Sequence, residues 1–400
     1  MATFLVHAAA TINTSGYSAM RSLARGSTGR LWCCYKRDVA GLRHAFVAYS
    51  DDEGATWNEE QVSTIGSNLL YQPAIAVDPS DNVHVVYDPA GYGTFPLKKQ
   101  IVYRQRLAGV WQAEELVTDI DANQEYPVIA IHSNNDVSVA WNSVGFGVQI
   151  ANLNPAYRRR SAGVWGAVEK LVDSNRNQNP PSIAIGSDND VHALWTGYLV
   201  VNQNHAYYRR RTGVGWQALE EVTPINARPQ YVGSIALDPS GEPHVLWCGQ
   251  GYGVNIFHRN IQYCHRAAGV WGAVESLTDI DSHQHYPTIE VDRSNNVHAI
   301  WPGLGWGVNP GSSNLQYNTK VVGGAWGAQV GLTDAAFNNG PGSSAIWAIF
   351  PIGQQVPKTG YAFVWNKGAD VWIWISADIS WAGPPAGVSP ASKLVAEELI

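Results

Sequence analysis

Tryptophan returns through this chain at a nearly fixed step. Trp57, Trp111, Trp165, Trp216, Trp271, Trp326 and Trp381 are separated by 54, 54, 51, 55, 55 and 55 residues. A step of that size marks a repeated unit that cannot bury its own apolar face and must stack on copies of itself. Around each Trp the same four short segments recur. In one unit they are Pro127–Ile131, Asp136–Trp141, Ala156–Arg160 and Trp165–Leu171. Each is β-prone and bounded by turn formers, so each reads as a strand; in order they are strands A, B, C and D. The A–B links, such as Asp78–Asn82, His132–Asp136 and Asp292–Asn296, have the composition of tight hairpins. So do the C–D links at Ala108-Gly109, Ala162-Gly163 and Ala268-Gly269.

Four antiparallel strands repeated every fifty-odd residues predict a β-propeller blade. The A–B–C sets give an all-β chain forming one domain, residues 1–400, of seven four-stranded blades. A six-bladed ring is the alternative. Ring closure falls to an N-terminal strand at about 3–11, to a C-terminal strand at about 392–399, or to both. Two stacked sandwiches would not produce seven equal periods.

Composition agrees. Charged residues are 15% and aromatics 11% of the chain, too apolar for disorder. Heptads are absent, which excludes a coiled coil. A net charge of -7 gives no attraction to nucleic acid. No apolar run is long enough for a membrane helix, so no membrane insertion is expected. The first basic residue is Arg21, and without a basic leading region no signal peptide is recognised. Cys33 and Cys34 are neighbours on a strand and point to opposite faces. Cys248 and Cys264 could pair across a hairpin or stand as two buried thiols.

In such a blade the A–B and C–D turns share one face, and the longer B–C and D–A loops share the other. Long loops on a rigid scaffold are where binding concentrates. The B–C loops carry an aromatic held by glycine: Gly91-Tyr92-Gly93, Gly145-Phe146-Gly147, Gly197-Tyr198, Gly251-Tyr252-Gly253 and Gly305-Trp306-Gly307. Ring faces stack on sugar C–H surfaces or cations. The D–A loops add Asp121, Gln124, Asp281 and Gln284 as polar partners. Together these nine residues form the candidate ligand-binding set. A structural plug between blades is the competing reading of the Gly-aromatic-Gly motif. His84, His192, His244 and His298 recur at one strand-B position. One per blade cannot converge on an ion, so they read as structural, and neither metal nor cofactor is expected. Arg158–Arg160 and Arg209–Arg211 read as solvated charge on strand C.

One segment is more specific. Ser50, Asp52, Gly54, Thr56 and Trp57 match the Asp box, Ser-x-Asp-x-Gly-x-Thr-Trp. The chain therefore resembles the sialidase superfamily of Asp-box (BNR-repeat) propellers. Later C–D turns, such as Ala162-Gly-Val-Trp165, keep only the Gly and Trp. In that family the box is structural and lies opposite the active face. The resemblance extends to Met20-Arg21-Ser22-Leu23 and Lys36-Arg37-Asp38. It implies that Arg21 and Arg37 would clamp a carboxylate and Asp38 would act as the acid. The Ile-Pro that follows the family's first Arg is missing. The third Arg and the Tyr–Glu pair are unplaced, with Arg228, Arg259 and Glu290 as remaining candidates.

Two functions follow as expectations. The first is a non-enzymatic, lectin-like propeller binding glycans or a cell-surface receptor through its long-loop face. The second is an exo-sialidase-type glycoside hydrolase with its site at blade one. The expected setting is extracellular or on a virion surface after cytoplasmic synthesis. A phage tail or capsid-surface protein with other virion proteins as partners, or a lysis-released lectin, would fit it.

Overall fold

The computed structural model describes residues 22–334, except 72, 200–202, 224–227 and 293. It also describes the backbone of three strands at 2–7, 362–367 and 370–375. Arg21, Trp381 and the segment 392–399 lie outside the described residues.

The described residues form strands and turns without a helix. Six antiparallel sheets follow one another along the chain. The first runs Leu23–Arg25, Leu31–Val39, Leu42–Ser50, Asn58–Gln61. The fifth runs Gln230–Leu237, Pro243–Gly249, Asn260–Ala267 and a divided outer edge. The sixth runs Thr288–Val291, Val297–Gly303, Asn314–Lys320, Val330–Gly331. A further sheet pairs Ala2–His7 with Asp370–Ile375, which pairs with Ala362–Lys367. Inner strands of successive sheets touch in order around an axis. The molecule is a β-propeller.

Strand D is one run in the sequence but two in the structure. Trp165 pairs with Arg160 at the end of strand C, and Glu169 pairs with Tyr157 farther along it. The break lets the Trp turn toward the preceding sheet. Trp165, Trp216, Trp271 and Trp326 each stand edge-on to a tyrosine of that sheet, at 5.2–5.4 Å. Edge-to-face is the favoured geometry for such pairs. The apolar core is accordingly a series of layers between sheets, such as Val86, Ile101 and Tyr103 against Val139 and Trp141.

The strand-C arginines are not solvated charge, as the sequence suggested. Arg160 makes a bidentate pair with Glu115 of the preceding sheet at 2.8 and 2.9 Å, and Trp165 donates to the same carboxylate. Arg106–Glu60 with Trp111 and Arg266–Glu220 with Trp271 repeat the device. Planar bidentate geometry makes such pairs directional ties from sheet to sheet.

Each strand-B histidine is held within its own sheet. His84, His192, His244 and His298 each bond a strand-C tyrosine hydroxyl through Nδ1 at 2.6–2.7 Å. The turn after Ser50 closes as its residues require. Asp52 accepts from the Thr56 amide and hydroxyl, the Ser50 hydroxyl accepts from the Gly54 amide, and Trp57 donates to the Gly54 carbonyl. All four cysteines are buried free thiols. Cys248 faces Ile261 and Cys264 faces Val245, so the two do not oppose each other.

Candidate functional site

The Gly-aromatic-Gly residues turn inward. Tyr92 is buried; it donates to Glu114 at 3.0 Å and accepts from the Ile65 amide at 3.1 Å. Burial pushes its hydroxyl up to about 12. Phe146 packs on the layer between the second and third sheets. Tyr252 packs edge-on to Trp247. Trp306 donates to Gln284 at 2.7 Å. The motif is a plug, and its glycines have a specific cause. Gly93, Gly147, Gly253 and Gly307 have positive φ. A Cβ at any of them would fall 2.2–2.5 Å from a D–A-loop aspartate. That aspartate caps the next amides of the loop, as Asp279 does for Val254 and Asn255.

Gln124 and Gln284 are buried as well. Their side-chain carbonyls accept from Trp141 and Trp301 at 2.7 and 3.0 Å, and their amides tie down the loop carbonyls of Val144 and Leu304. They organise the loops. Asp121 and Asp281 are exposed, the first 3.7 Å from Lys98 and the second 3.0 Å from His258.

Of the clamp implied for the first sheet, Arg37 and Asp38 are described, and Arg21 lies outside the described residues. Lys36-Arg37-Asp38 lies within a long hairpin closed by Ala40-Gly41, both at positive φ, not at the mouth of a long loop. Arg37 is ion-paired to Glu59 with its guanidinium over Phe46. Asp38 lies 3.9 Å from Arg43. Strand alternation sends Arg37 and Asp38 to opposite faces.

What the fold does assemble lies between the fifth and sixth sheets, at their long-loop ends. Arg259 immediately precedes strand C of the fifth sheet, and its guanidinium sits 5.0 Å over Tyr231 of strand A. Its amide donates to His283 Nδ1 at 3.1 Å, which leaves Nε2 to carry that ring's proton when neutral. The rings of His258 and His283 are 5.0 Å apart, His283 and His285 6.0 Å, and His285 and Tyr286 5.9 Å. Nearby, Arg228 lies 4.1 Å over the exposed ring of Phe257. Tyr286 holds a φ of 41°, a strained value for a residue with a side chain. Tyr198 contributes to the electrostatics of Tyr231. It therefore borders this cluster.

Burial and the neighbouring arginine keep His283 and His285 neutral. Burial, then Arg259 and His283, lowers His285 to about 4. Burial, then Arg259 and His258, also lowers His283. Burial raises the Cys248 thiol to about 11 against the pull of Arg259. The cluster thus offers positive charge on Arg228 and Arg259, neutral His283 and His285 able to donate and accept, and tyrosine and phenylalanine rings. That set suits a ligand with both an anionic group and apolar C–H faces.

The sequence matches no protein-family model and no curated protein sequence. Solved structures do share the fold. An ulvan lyase of polysaccharide lyase family PL25 superposes with a TM-score of 0.62 at 12% identity, covering 92% of this chain and 94% of its own. The polysaccharide lyase Uly1 gives 0.54 at 12% identity, with 90% of each chain covered. The β-propeller domain of the Trilobed protease from Pyrococcus furiosus gives 0.52 at 8% identity, covering 92% and 99%. At such identities the likeness is one of fold. It supports a propeller whose neighbours include carbohydrate-active proteins.

Proposed function

We propose that the protein is a carbohydrate-recognition propeller. Its cleft between the fifth and sixth sheets would bind an acidic glycan. One observation carries this reading: among the described residues no carboxylate pairs with Arg259, which is ringed by His258, His283, His285 and Tyr286. A sugar carboxylate or sulfate would complete its charge, and the aromatic rings would meet the sugar faces. The same reading takes the chain as one ring of seven blades, with Ala2–His7 as the outer strand of the last. It has the protein meet its glycan outside the cell that makes it.

The test is binding to uronate-containing and sulfated polysaccharides, with neutral glycans alongside. Arg259→Ala should weaken binding of the acidic glycan about tenfold or more, since a charge-assisted hydrogen bond is worth roughly 1.5–3 kcal/mol. Arg37→Ala should leave it unchanged. Binding to neutral glycans alone, or full binding by Arg259→Ala, would overturn the proposal.

A second reading is favoured by the neutral imidazoles beside Tyr286 and Arg259. Such a set could cleave a uronate glycan by β-elimination. A base takes the proton next to the carboxylate, the C4–O bond breaks, the departing oxygen is protonated, and a C4–C5 double bond forms. Incubation with a uronate glycan distinguishes this reading, because elimination yields an ultraviolet-absorbing unsaturated end and binding alone yields none.

A further inference from the structure

At the tight-turn end of the fifth sheet, a device found in the second and sixth sheets has been altered. In the second and sixth sheets a buried aspartate of the A–B turn lies 3.3 Å from the strand-B histidine: Asp78 from His84, and Asp292 from His298. The strand-C residue opposite that histidine is Gln105 in one and Thr319 in the other. In the fifth sheet it is His265, directly across from His244. The two imidazole rings stack at 4.0 Å. Here the aspartate stands off: Asp238 Oδ2 is 3.9 Å from His244 Nε2, beyond hydrogen-bond range.

The result is two buried nitrogens with nothing to bond. His244 is 4% exposed, and its Nε2 has no hydrogen-bond partner; neither has the buried Nε2 of His265. Orphaned buried polar atoms are rare and call for an explanation. Each surrounding group is arranged to leave them free. Asp238 Oδ1 accepts the Ser240 and Glu242 amides at 2.8 Å each, which fixes the carboxylate with Oδ2 toward His244. His244 Nδ1 is bonded to the Tyr263 hydroxyl at 2.7 Å, which reserves Nε2. One ligand atom from each of Asp238, His244 and His265 lies within 4.8 Å of the other two.

We infer that Asp238, His244 and His265 form a binding site for a divalent transition-metal ion, Zn²⁺ being the best match. Two imidazoles and a carboxylate are borderline nitrogen and oxygen donors of the kind Zn²⁺ takes. The Tyr263 bond to the far side of His244 is the outer-shell support that metal-bound histidines use. Ligation fans the His265 ring out of its stack on His244, and that half-buried side leaves a fourth position for water. The ion ties the A–B turn to strand C within one sheet, at the opposite end from Arg259 and Tyr231. Its role is therefore structural and separate from the glycan cleft. A reading limited to strand-B histidines misses it, because the second imidazole comes from strand C.

The test uses the full chain stripped of metal and titrated with Co²⁺ and then Zn²⁺. Wild type should take up about one equivalent of Co²⁺ with visible d–d absorption, release it to Zn²⁺, and melt at a higher temperature when loaded. His265→Gln copies the second sheet's pairing and should fold as wild type when metal-free. It should lose at least about tenfold in metal affinity and lose the thermal gain. His265→Thr, copying the sixth sheet, provides the same test if the first variant misfolds. His283→Ala should bind metal like wild type, which separates this site from the histidines of the long-loop face. Uptake by His265→Gln equal to wild type, uptake lost only in His283→Ala, or no uptake by wild type would each overturn the inference.

Discussion

Two junctions of this ring use the same backbone positions for opposite purposes. Between the second and third sheets, Lys99 stands just before strand C and sits 3.7 Å over the ring of Tyr71. It is ion-paired to Glu125, and Tyr71 stacks on Tyr126 at 5.7 Å. Buried Asp88 accepts the amides of Tyr71 and Tyr126 at 3.1 Å each. Three sheets on, the matching positions hold Arg259, Tyr231, His285, Tyr286 and Cys248. Even the loop bond is kept: Lys99 donates its amide to Asn123, and Arg259 donates to His283, both at 3.1 Å. In the first junction Glu125 answers the cation and Asp88 holds the two tyrosine amides. In the second, an imidazole and a thiol stand at those two positions, and among the described residues no carboxylate pairs with Arg259. One scaffold thus supports a closed, self-satisfied junction and an open one, and the difference is two side chains.

The largest effect expected from breaking this contrast is on the closed side. Lys99 is only 4% exposed in its side chain. Glu125→Ala would leave it buried beside Tyr71 without its partner. Removing one member of a buried pair costs about 3–5 kcal/mol, so urea unfolding should show a loss of that order. His285→Ala at the matching position should cost far less, because it uncovers no new charge. Equal losses in the two variants would mean that the junctions are not electrostatically different.

The next effect is on the open side. His285→Glu gives Arg259 the carboxylate that Lys99 already has. An acidic glycan must then compete with a built-in anion, and its affinity should fall about a hundredfold, near 2.7 kcal/mol. Glycan titration checks this. Unchanged affinity would place the binding site elsewhere on the ring.

Much of this architecture was legible before any coordinates, and the reason is repetition. The Trp step, the A–B turns and the strand-B histidines each occur several times, and a physical need shared by every sheet writes itself several times. The same property misdirected the search for the site. Tyr92, Phe146, Tyr252 and Trp306 recur because every sheet needs a plug, and Gln124 and Gln284 because buried indoles need an acceptor. The proposed site lies where a repeat departs from its siblings. Aligning the units on Gln124 and Gln284 places Glu125 against His285 and Asn123 against His283. That comparison was available in the sequence. What it could not supply was that strand A of one sheet and strand C of its neighbour meet at these residues. The Arg160–Glu115 ties were hidden for the same reason, since their partners lie 45 residues apart.

A smaller effect is on pH. His285, His132 and His192 are each held near 4 by burial and neighbouring cations, against an ordinary value near 6.5 in the unfolded chain. A depressed histidine favours folding fully above the unfolded value, and that contribution fades as pH falls from about 6.5 toward 4. The melting temperature should therefore drop across that window, with protons taken up on unfolding. His285→Asn should take up about one proton fewer at pH 5. An identical proton uptake would show that His285 is not held neutral in the open junction.

The smallest effect concerns the rim. Phe257 is 63% exposed and carries the Arg228 guanidinium at 4.1 Å. Leu97 occupies the same loop position in the closed junction at 87% exposure. Neither side chain supports the core, so replacing either by alanine should change stability by less than about 0.5 kcal/mol. Binding should separate them. Phe257→Ala removes the surface that holds Arg228 toward the cleft. Exposed cation–π contacts are worth about 0.5–1 kcal/mol, so the acidic glycan should bind roughly twofold to fivefold more weakly. Leu97→Ala should leave binding as it was, because the junction beside it has already spent its cation on Glu125. A glycan that responded equally to both substitutions would be reading the rim of the whole ring. The open junction would then lose its claim to be the site.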